Sequence, residues 1–388
     1  MKMMLKHAAI GLAATLSFST AALSETQGVS DTEVVIGSNQ DMSGIFAAFG
    51  APAMTAANLY FDQVNAAGGV HGRKIRLVVE DHGYQMPKAM SGLNKLVNSD
   101  KVFAMLLSLG TPMNIASFPL LESKGIPNLS PLSAARQMID PPSSIKYAGT
   151  ASYYSQIVSG VRYMQANEGS TVVCSMIIPS DFGLEILEGT QDVAKEIGMP
   201  YGGETKHKPD ELDFVGSLTK LKADGCDLIT IALGVRQVIT AVATAKKIGW
   251  TEVKFLGASA SFHTAIAKVP GGVTDGFYAG SGWSDIEARL GDPEVAAFAK
   301  QYSDATGEAL PGTGALLGRS GAETFVRALE AAGRDLTHES FQAAMESLSF
   351  DDKIAGTPVD YSPTDHQGAD AIIISKIEGG SWKEIARQ

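Results

Sequence analysis

Apolar β-rich runs alternate with helical patterns along nearly the whole chain, and few architectures accommodate that order. The runs lie at Glu33 to Ser38, Lys74 to Glu80, Val102 to Leu107, Thr171 to Ile178, Asp227 to Leu233 and Val253 to Gly257. Helical patterns fall between them, at about 51–66, 87–98, 111–124, 153–167, 183–197, 213–224 and 236–248. Strands that are apolar on consecutive residues are buried on both faces, as in a parallel sheet covered by helices. The expected fold class is therefore α/β, with parallel sheets flanked by helices. Two such series precede residue 280, about 33–148 and 149–280. Helices at about 292–306, 321–332 and 338–348 follow. The chain then reads as a hairpin whose strands, 368–375 and 381–385, flank Glu378-Gly379-Gly380.

The 388 residues suffice for two domains. Hydrophobic residues make up 45% and charged residues 19%, which excludes a disordered chain and a coiled coil. The formal net charge is −11 and no basic block stands out, so nucleic acid is not an expected partner. At the N-terminus, Lys2 and Lys6 precede an apolar stretch from Ala8 to Leu23, with small residues at Ala22 and Ser24. That order reads as a secretory signal peptide over 1–24, and the expected location is the periplasm. Past it, no apolar run reaches the length of a membrane span.

Only two cysteines occur, Cys174 and Cys226. Export permits a disulfide, but one lies mid-strand and the other just before a strand, a placement that favours free buried thiols. The seven histidines are scattered, without the short spacings of a metal site. Gly312-Thr313-Gly314-Ala315-Leu316-Leu317-Gly318 misses the dinucleotide fingerprint by one residue, and Pro311 rather than a strand precedes it. Gly257-Ala258-Ser259-Ala260-Ser261 lacks the last glycine of a nucleophile elbow. A secreted hydrolase is thus the weakest reading. No catalytic residue, cofactor or metal is expected.

The remaining polar, glycine-containing loops stand at the C-terminal ends of the predicted strands, the edge where open parallel sheets bind ligands. They include Asp41 to Gly44, Ser108 to Thr111, Ser130 to Ser133, Pro179 to Gly183, Gly234 to Gln237 and Gly257 to Ser261. Any one of them could be a helix cap alone. Their recurrence at equivalent ends of two series points to a cleft, with backbone N–H groups and hydroxyls suited to an anion.

Several stretches carry a family likeness. They are Asp41-Met42-Ser43-Gly44 with Phe49-Gly50, Asn65 to Ile75, Glu80-Asp81-His82-Gly83-Tyr84, Ser108-Leu109-Gly110-Thr111-Pro112, Asp181-Phe182-Gly183 and Ser362-Pro363-Thr364-Asp365. In order and spacing the chain resembles the periplasmic substrate-binding proteins of ABC transporters, in the group that includes the leucine/isoleucine/valine-binding protein. The resemblance implies two lobes, 31–148 plus 281–366 and 149–280 plus 367–388, joined by three crossings. It implies no catalysis, closure of the lobes on a small-molecule ligand, and docking on a membrane permease. A sensory binding protein of the same fold is the alternative it leaves open. Carried over position by position, it implies a ligand site made of Phe49, Tyr84, Gly110, Thr111, Ser133, Tyr153, Phe182 and Ser259. Ala134 stands where the family often has Thr, and a family Tyr near Gly234 is absent. Ser259 stands where amino-acid binders place the carboxylate that meets the ligand ammonium. The implied ligand is an amino acid or an aromatic or aliphatic carboxylate, with recognition of an α-amino group in doubt.

Overall fold

The computed structural model describes residues 26–388; the expected signal peptide, 1–24, lies outside the described residues. The first series runs β1 (Glu33–Gln40), α1 (Ala47–Ala66), β2 (Lys74–Asp81), α2 (Met86–Asn94), β3 (Ala104–Leu106), α3 (Thr111–Lys124), β4 (Asn128–Leu129) and β5 (Lys146–Tyr147). All five strands form one parallel sheet in the order β2-β1-β3-β4-β5. The second series runs α4 (Tyr153–Glu168), β6 (Val173–Ile177), α5 (Asp181–Glu196), β7 (Tyr201–Lys206), α6 (Val215–Ala223), β8 (Leu228–Ala232), α7 (Val235–Lys247), β9 (Lys254–Gly257), α8 (Thr264–Ala267) and β10 (Tyr278–Ser281). Its strands repeat the same winding, β7-β6-β8-β9-β10.

The chain then returns to the first sheet as α9 (Pro293–Thr306), α10 (Thr313–Ala332), α11 (His338–Met345) and the small hairpin β11 (Ser349–Asp352) and β12 (Thr357–Asp360). It closes with β13 (Ile373–Glu378) and β14 (Ser381–Arg387), which extend the second sheet antiparallel to β10. Gly379 and Gly380 both have positive φ, as the two-residue turn between these strands requires. The chain thus passes between the sheets three times, after β5, after β10 and after β12. Ala148 ties the first and third passes together, donating from its N–H to His366 O at 2.9 Å and accepting from Gly368 N at 2.8 Å.

Apolar residues fill each layer. Ile36, Phe61, Phe103, Phe325 and Phe341 lie buried between the first sheet and the α1, α10 and α11 layer. Helix α10 begins at Thr313, eight residues before the expected 321. The glycines that mimic a dinucleotide loop explain the difference. A side chain at Gly314 would strike the backbone of Phe49, and one at Gly318 the backbone of Ala53. Both glycines let α10 lie directly against α1, so they serve helix packing within a helix rather than a loop.

The cysteines correct the expectation of free thiols: Cys174 and Cys226 form a disulfide, with Cα atoms 5.9 Å apart. Cys226 sits in the turn before β8, with its N–H donating back to Leu221 O, and β8 pairs directly with β6, the strand that carries Cys174. Pairing of β6 with β7 shifts register at Val173/Cys174, and Gly202 opposite leaves room for both sulfurs.

Candidate ligand site in the cleft

The loops that follow the strands are pinned to one another before any ligand enters. Asp41 is buried and its carboxylate accepts from Gly44 N at 2.5 Å and Phe46 N at 2.9 Å, which fixes the turn into α1. His82 is buried next to Leu109. Its Nδ1 accepts from Tyr84 N at 2.9 Å, so Nε2 carries the proton and donates to Leu109 O at 3.1 Å. Burial holds this imidazole neutral, with its pKa below the ordinary value. Leu109 N donates to Asn39 O, and Leu132 N to Ser108 O, each at 2.9 Å. The result is a rigid rim at the C-terminal edge of the first sheet.

The rim carries backbone strain. Five non-glycine residues have left-handed φ among the described residues, and three of them, Tyr84, Leu107 and Ser130, stand on this rim. Each costs about 1–3 kcal/mol, a cost that the surrounding hydrogen bonds offset. Gly110, with φ of 105°, leads into α3; a side chain there would press on Met113 and Tyr84.

A cavity, in part continuous with solvent, lies between the C-terminal edges of the two sheets. Phe49, Tyr84, Gly110, Thr111, Ser133, Tyr153, Phe182 and Ser259 all line it. Thr111 and Ser133 face each other with their hydroxyl oxygens 2.8 Å apart. From across the cleft, Tyr153 N donates to Ala134 O at 2.7 Å, at the start of α4, where Ser152 caps the helix. Burial pushes the Tyr153 hydroxyl up to about 12, an effect the Ala134 backbone and the Ser133 and Thr111 hydroxyls partly offset. Burial likewise raises Tyr84.

Aromatic rings line the cavity beside these hydroxyls. Tyr84, Phe46, Phe182 and Tyr153 touch in sequence, with centroid separations of 4.9, 5.8 and 5.2 Å. The chain of rings crosses from the first sheet to the second. Phe46 was missed in the sequence because α1 begins at Ala47 rather than near 51; Ser43-Gly44, a turn signal, was the available clue. Phe49 packs edge-on against His263 at 4.5 Å.

Ser259 N donates to Gln156 Oε1 at 2.8 Å, and no carboxylate lines the cavity beside it. Asp181, the acid beside Phe182, is exposed at the start of α5 and lies off the wall. Asp352 is the acid that does line the cavity, far along the chain at the end of β11, where Ile354 N and Ala355 N donate to Oδ1 and the Ser320 hydroxyl donates to Oδ2. Among the described residues, no group of three or more His, Cys, Asp or Glu is arranged to hold a metal ion. None of the described helices is long and apolar enough to cross a membrane.

Residues 33–381 match the model of a family described as periplasmic binding protein. An amino acid binding protein of Pseudomonas aeruginosa is 26% identical over 214 residues, 54% of this chain, so the match spans little more than half, 56%, of that relative's length. Among solved structures, a fatty acid ABC transporter substrate-binding protein from Thermomonospora curvata superposes with a TM-score of 0.84. It is 24% identical and covers 93% of each chain. A solute-binding protein of an ABC transporter from Rhodopseudomonas palustris, in complex with 3,4-dihydroxybenzoic acid, gives 0.80 at 20% identity. That match covers 92% of this chain and 98% of the other. At these identities the structural likeness speaks for the fold, two parallel α/β sheets facing one cleft. With nearly the whole described chain inside the family match, this protein belongs to the periplasmic binding protein family.

Proposed function

We propose that this protein is the periplasmic solute-binding component of an ABC importer and that it captures a carboxylate with an apolar body. In this reading, residues 31–148 plus 281–366 form one lobe and 149–280 plus 367–388 the other. The lobes close by a hinge at the three crossings, and the closed form docks on a membrane permease.

The observation that carries the reading is the division of the cavity. The paired hydroxyls of Thr111 and Ser133 stand at the N-terminus of α3, a 14-residue helix whose first N–H groups favour an anion. The edge-to-face rings of Phe46, Phe182 and Tyr153 supply an apolar wall beside them. Amino acids, fatty acids and 3,4-dihydroxybenzoic acid, which the related proteins are described as binding, share a carboxylate and differ in the body attached to it.

With Ser259 in place of an acid, the ligand's α-amino group is not required. A buried ammonium without a carboxylate costs on the order of several kcal/mol. Calorimetric titration with leucine, phenylalanine, their desamino analogues, octanoate and benzoate tests this. The desamino acids are expected to bind at least as tightly as the amino acids. Binding confined to the amino acids would reverse the α-amino assignment, and no binding by any acid would remove the carboxylate assignment itself. Small-angle scattering with a bound acid is expected to give a smaller radius of gyration than without it.

A further inference from the structure

The hydroxyls of Thr111 and Ser133 stand 2.8 Å apart, yet they come from different loops, one after β3 and one after β4. A single peptide unit joins those loops to a third. The Leu109–Gly110 peptide is hydrogen-bonded at both ends: its carbonyl oxygen accepts from His82 Nε2 at 3.1 Å, and its N–H donates to Leu132 O at 3.3 Å. His82 belongs to the loop after β2, while Gly110 directly precedes Thr111 and Leu132 directly precedes Ser133. Gly110 has a φ of 105°, which lets the chain turn from this peptide into α3. Because a peptide unit is planar, holding its oxygen also aims its N–H, so the bond from His82 bears on how the two hydroxyls face each other.

The other ring nitrogen is also engaged. Nδ1 accepts from Tyr84 N at 2.9 Å, and Tyr84 has a left-handed φ of 57°, a conformation that a bulky residue seldom adopts. His82 itself is fully buried and lies behind the cavity wall rather than on it. Burial holds the ring neutral, although the carbonyl oxygens of Leu109 and Asn39 and the carboxylates of Asp41 and Asp81 favour its charged form. The tautomer with its proton on Nε2 is the one that makes both bonds.

We infer that His82 is a positioning residue for the carboxylate cradle: its Nε2–H fixes the plane of the Leu109–Gly110 peptide and, through that plane, the placement of Thr111 against Ser133. The inference rests on the carboxylate reading of Thr111 and Ser133 and adds the residue that holds them in register.

Two substitutions divide the ring. His82→Gln keeps a donor at the reach of Nε2 and gives up the acceptor toward Tyr84. His82→Asn keeps an acceptor near the place of Nδ1 and gives up the donor toward Leu109. In calorimetric titrations with benzoate and octanoate, His82→Gln is expected to stay within about twofold of wild type, and His82→Asn to bind about tenfold more weakly, the equivalent of one good hydrogen bond. The loss should shrink to about threefold or less in a Thr111→Ala background, because the cradle is then already impaired. The reverse order of the two variants, equal losses in both, wild-type affinity in His82→Asn, or an undiminished loss in the Thr111→Ala background would each overturn the positioning role and leave the carboxylate reading standing. Nitrogen NMR of the wild-type imidazoles gives a check that needs no variant: His82 is expected as the Nε2-protonated tautomer, and the Nδ1-protonated form would overturn the inference. Failure of the wild-type protein to bind either acid would overturn the carboxylate reading itself.

Discussion

His263 donates from Nε2 to the carbonyl oxygen of Ala48 at 3.1 Å, which joins the loop after β9 of the second sheet to α1 on the first. The proton position follows from the other ring nitrogen, since Nδ1 accepts from Ala265 N at 3.0 Å. Both bonds together need a neutral ring, because protonation would turn Nδ1 into a donor facing the Ala265 N–H, and burial pushes the pKa of His263 down to about 4 even though the bond to Ala48 O favours the charged form.

Opening the cleft would return this imidazole to water and to an ordinary value near 6.5. A depressed value in the closed form means that its contribution is complete above about pH 6.5 and is lost as pH falls toward 4. Ligand affinity is expected to decline over that window. His263→Gln, which keeps a donor but takes no proton, should flatten the decline when affinity is measured by titration from pH 7.5 to 4.5.

Glu185 titrates in the opposite sense at the same boundary. Burial lifts its carboxyl to about 7, against the opposing pull of the Arg136 and Tyr154 backbone N–H groups and the Arg136 guanidinium. A raised value means that closure is favoured below about 4.5 and loses this contribution as pH rises through 7. Glu185→Gln should therefore raise affinity at pH 8 relative to wild type and change it little at pH 5.

Thr111→Ala should weaken binding of every carboxylate by about 1–3 kcal/mol, the range for leaving a buried charged partner short of a donor. Ser133 remains 2.8 Å away in the wild type and keeps part of the cradle, so binding should be weakened rather than abolished. Equal affinities for wild type and variant in a calorimetric series would refute the role assigned to Thr111.

Ser259→Asp places an acid where the wall has none. Leucine should then gain on its desamino analogue, because the new carboxylate meets the ammonium. The ligand-free variant should melt lower than wild type, since its buried charge lacks a partner. Thermal melts with and without each ligand read both effects.

Gly318→Ala sets two rules against each other. In an open helix the change gains about 1 kcal/mol. Here the new methyl group would meet the backbone of Ala53, which cannot turn away as a flexible side chain would. Overpacking should win, with a loss of about 1–3 kcal/mol in denaturant unfolding.

Cys226→Ser opens a loop of 52 residues, and unfolding stability should fall by about 2–4 kcal/mol. The wild-type protein under reducing conditions should match the variant.

Much of the site was legible because parallel sheets put their loops at one edge. Thr111, Ser133 and Phe182 could be placed from the strand pattern and the family resemblance without knowing any contact. The short strands β4 and β5 were not, since two residues carry no periodicity. Strand β7 escaped because Tyr-Gly-Gly-Glu-Thr-Lys is a polar edge strand with no apolar run. Trp283 and Thr150 had no local signal at all; they line one cavity only because two crossings, more than a hundred residues apart in sequence, both border it. The disulfide was misjudged for the same reason, since a fold-back turn and a register shift brought the sulfurs together.

The identical winding of the two sheets has a consequence for selectivity. In the proposed reading the cleft carries two kinds of recognition surface, the hydroxyls of Thr111 and Ser133 from the first sheet and a row of rings drawn from both sheets, and neither is complete alone. A bare anion satisfies only the first, and an uncharged hydrocarbon only the second. On that reading the cleft would work as a coincidence detector, rewarding a molecule that presents both features at the right separation and ignoring the far more abundant ones that present either alone.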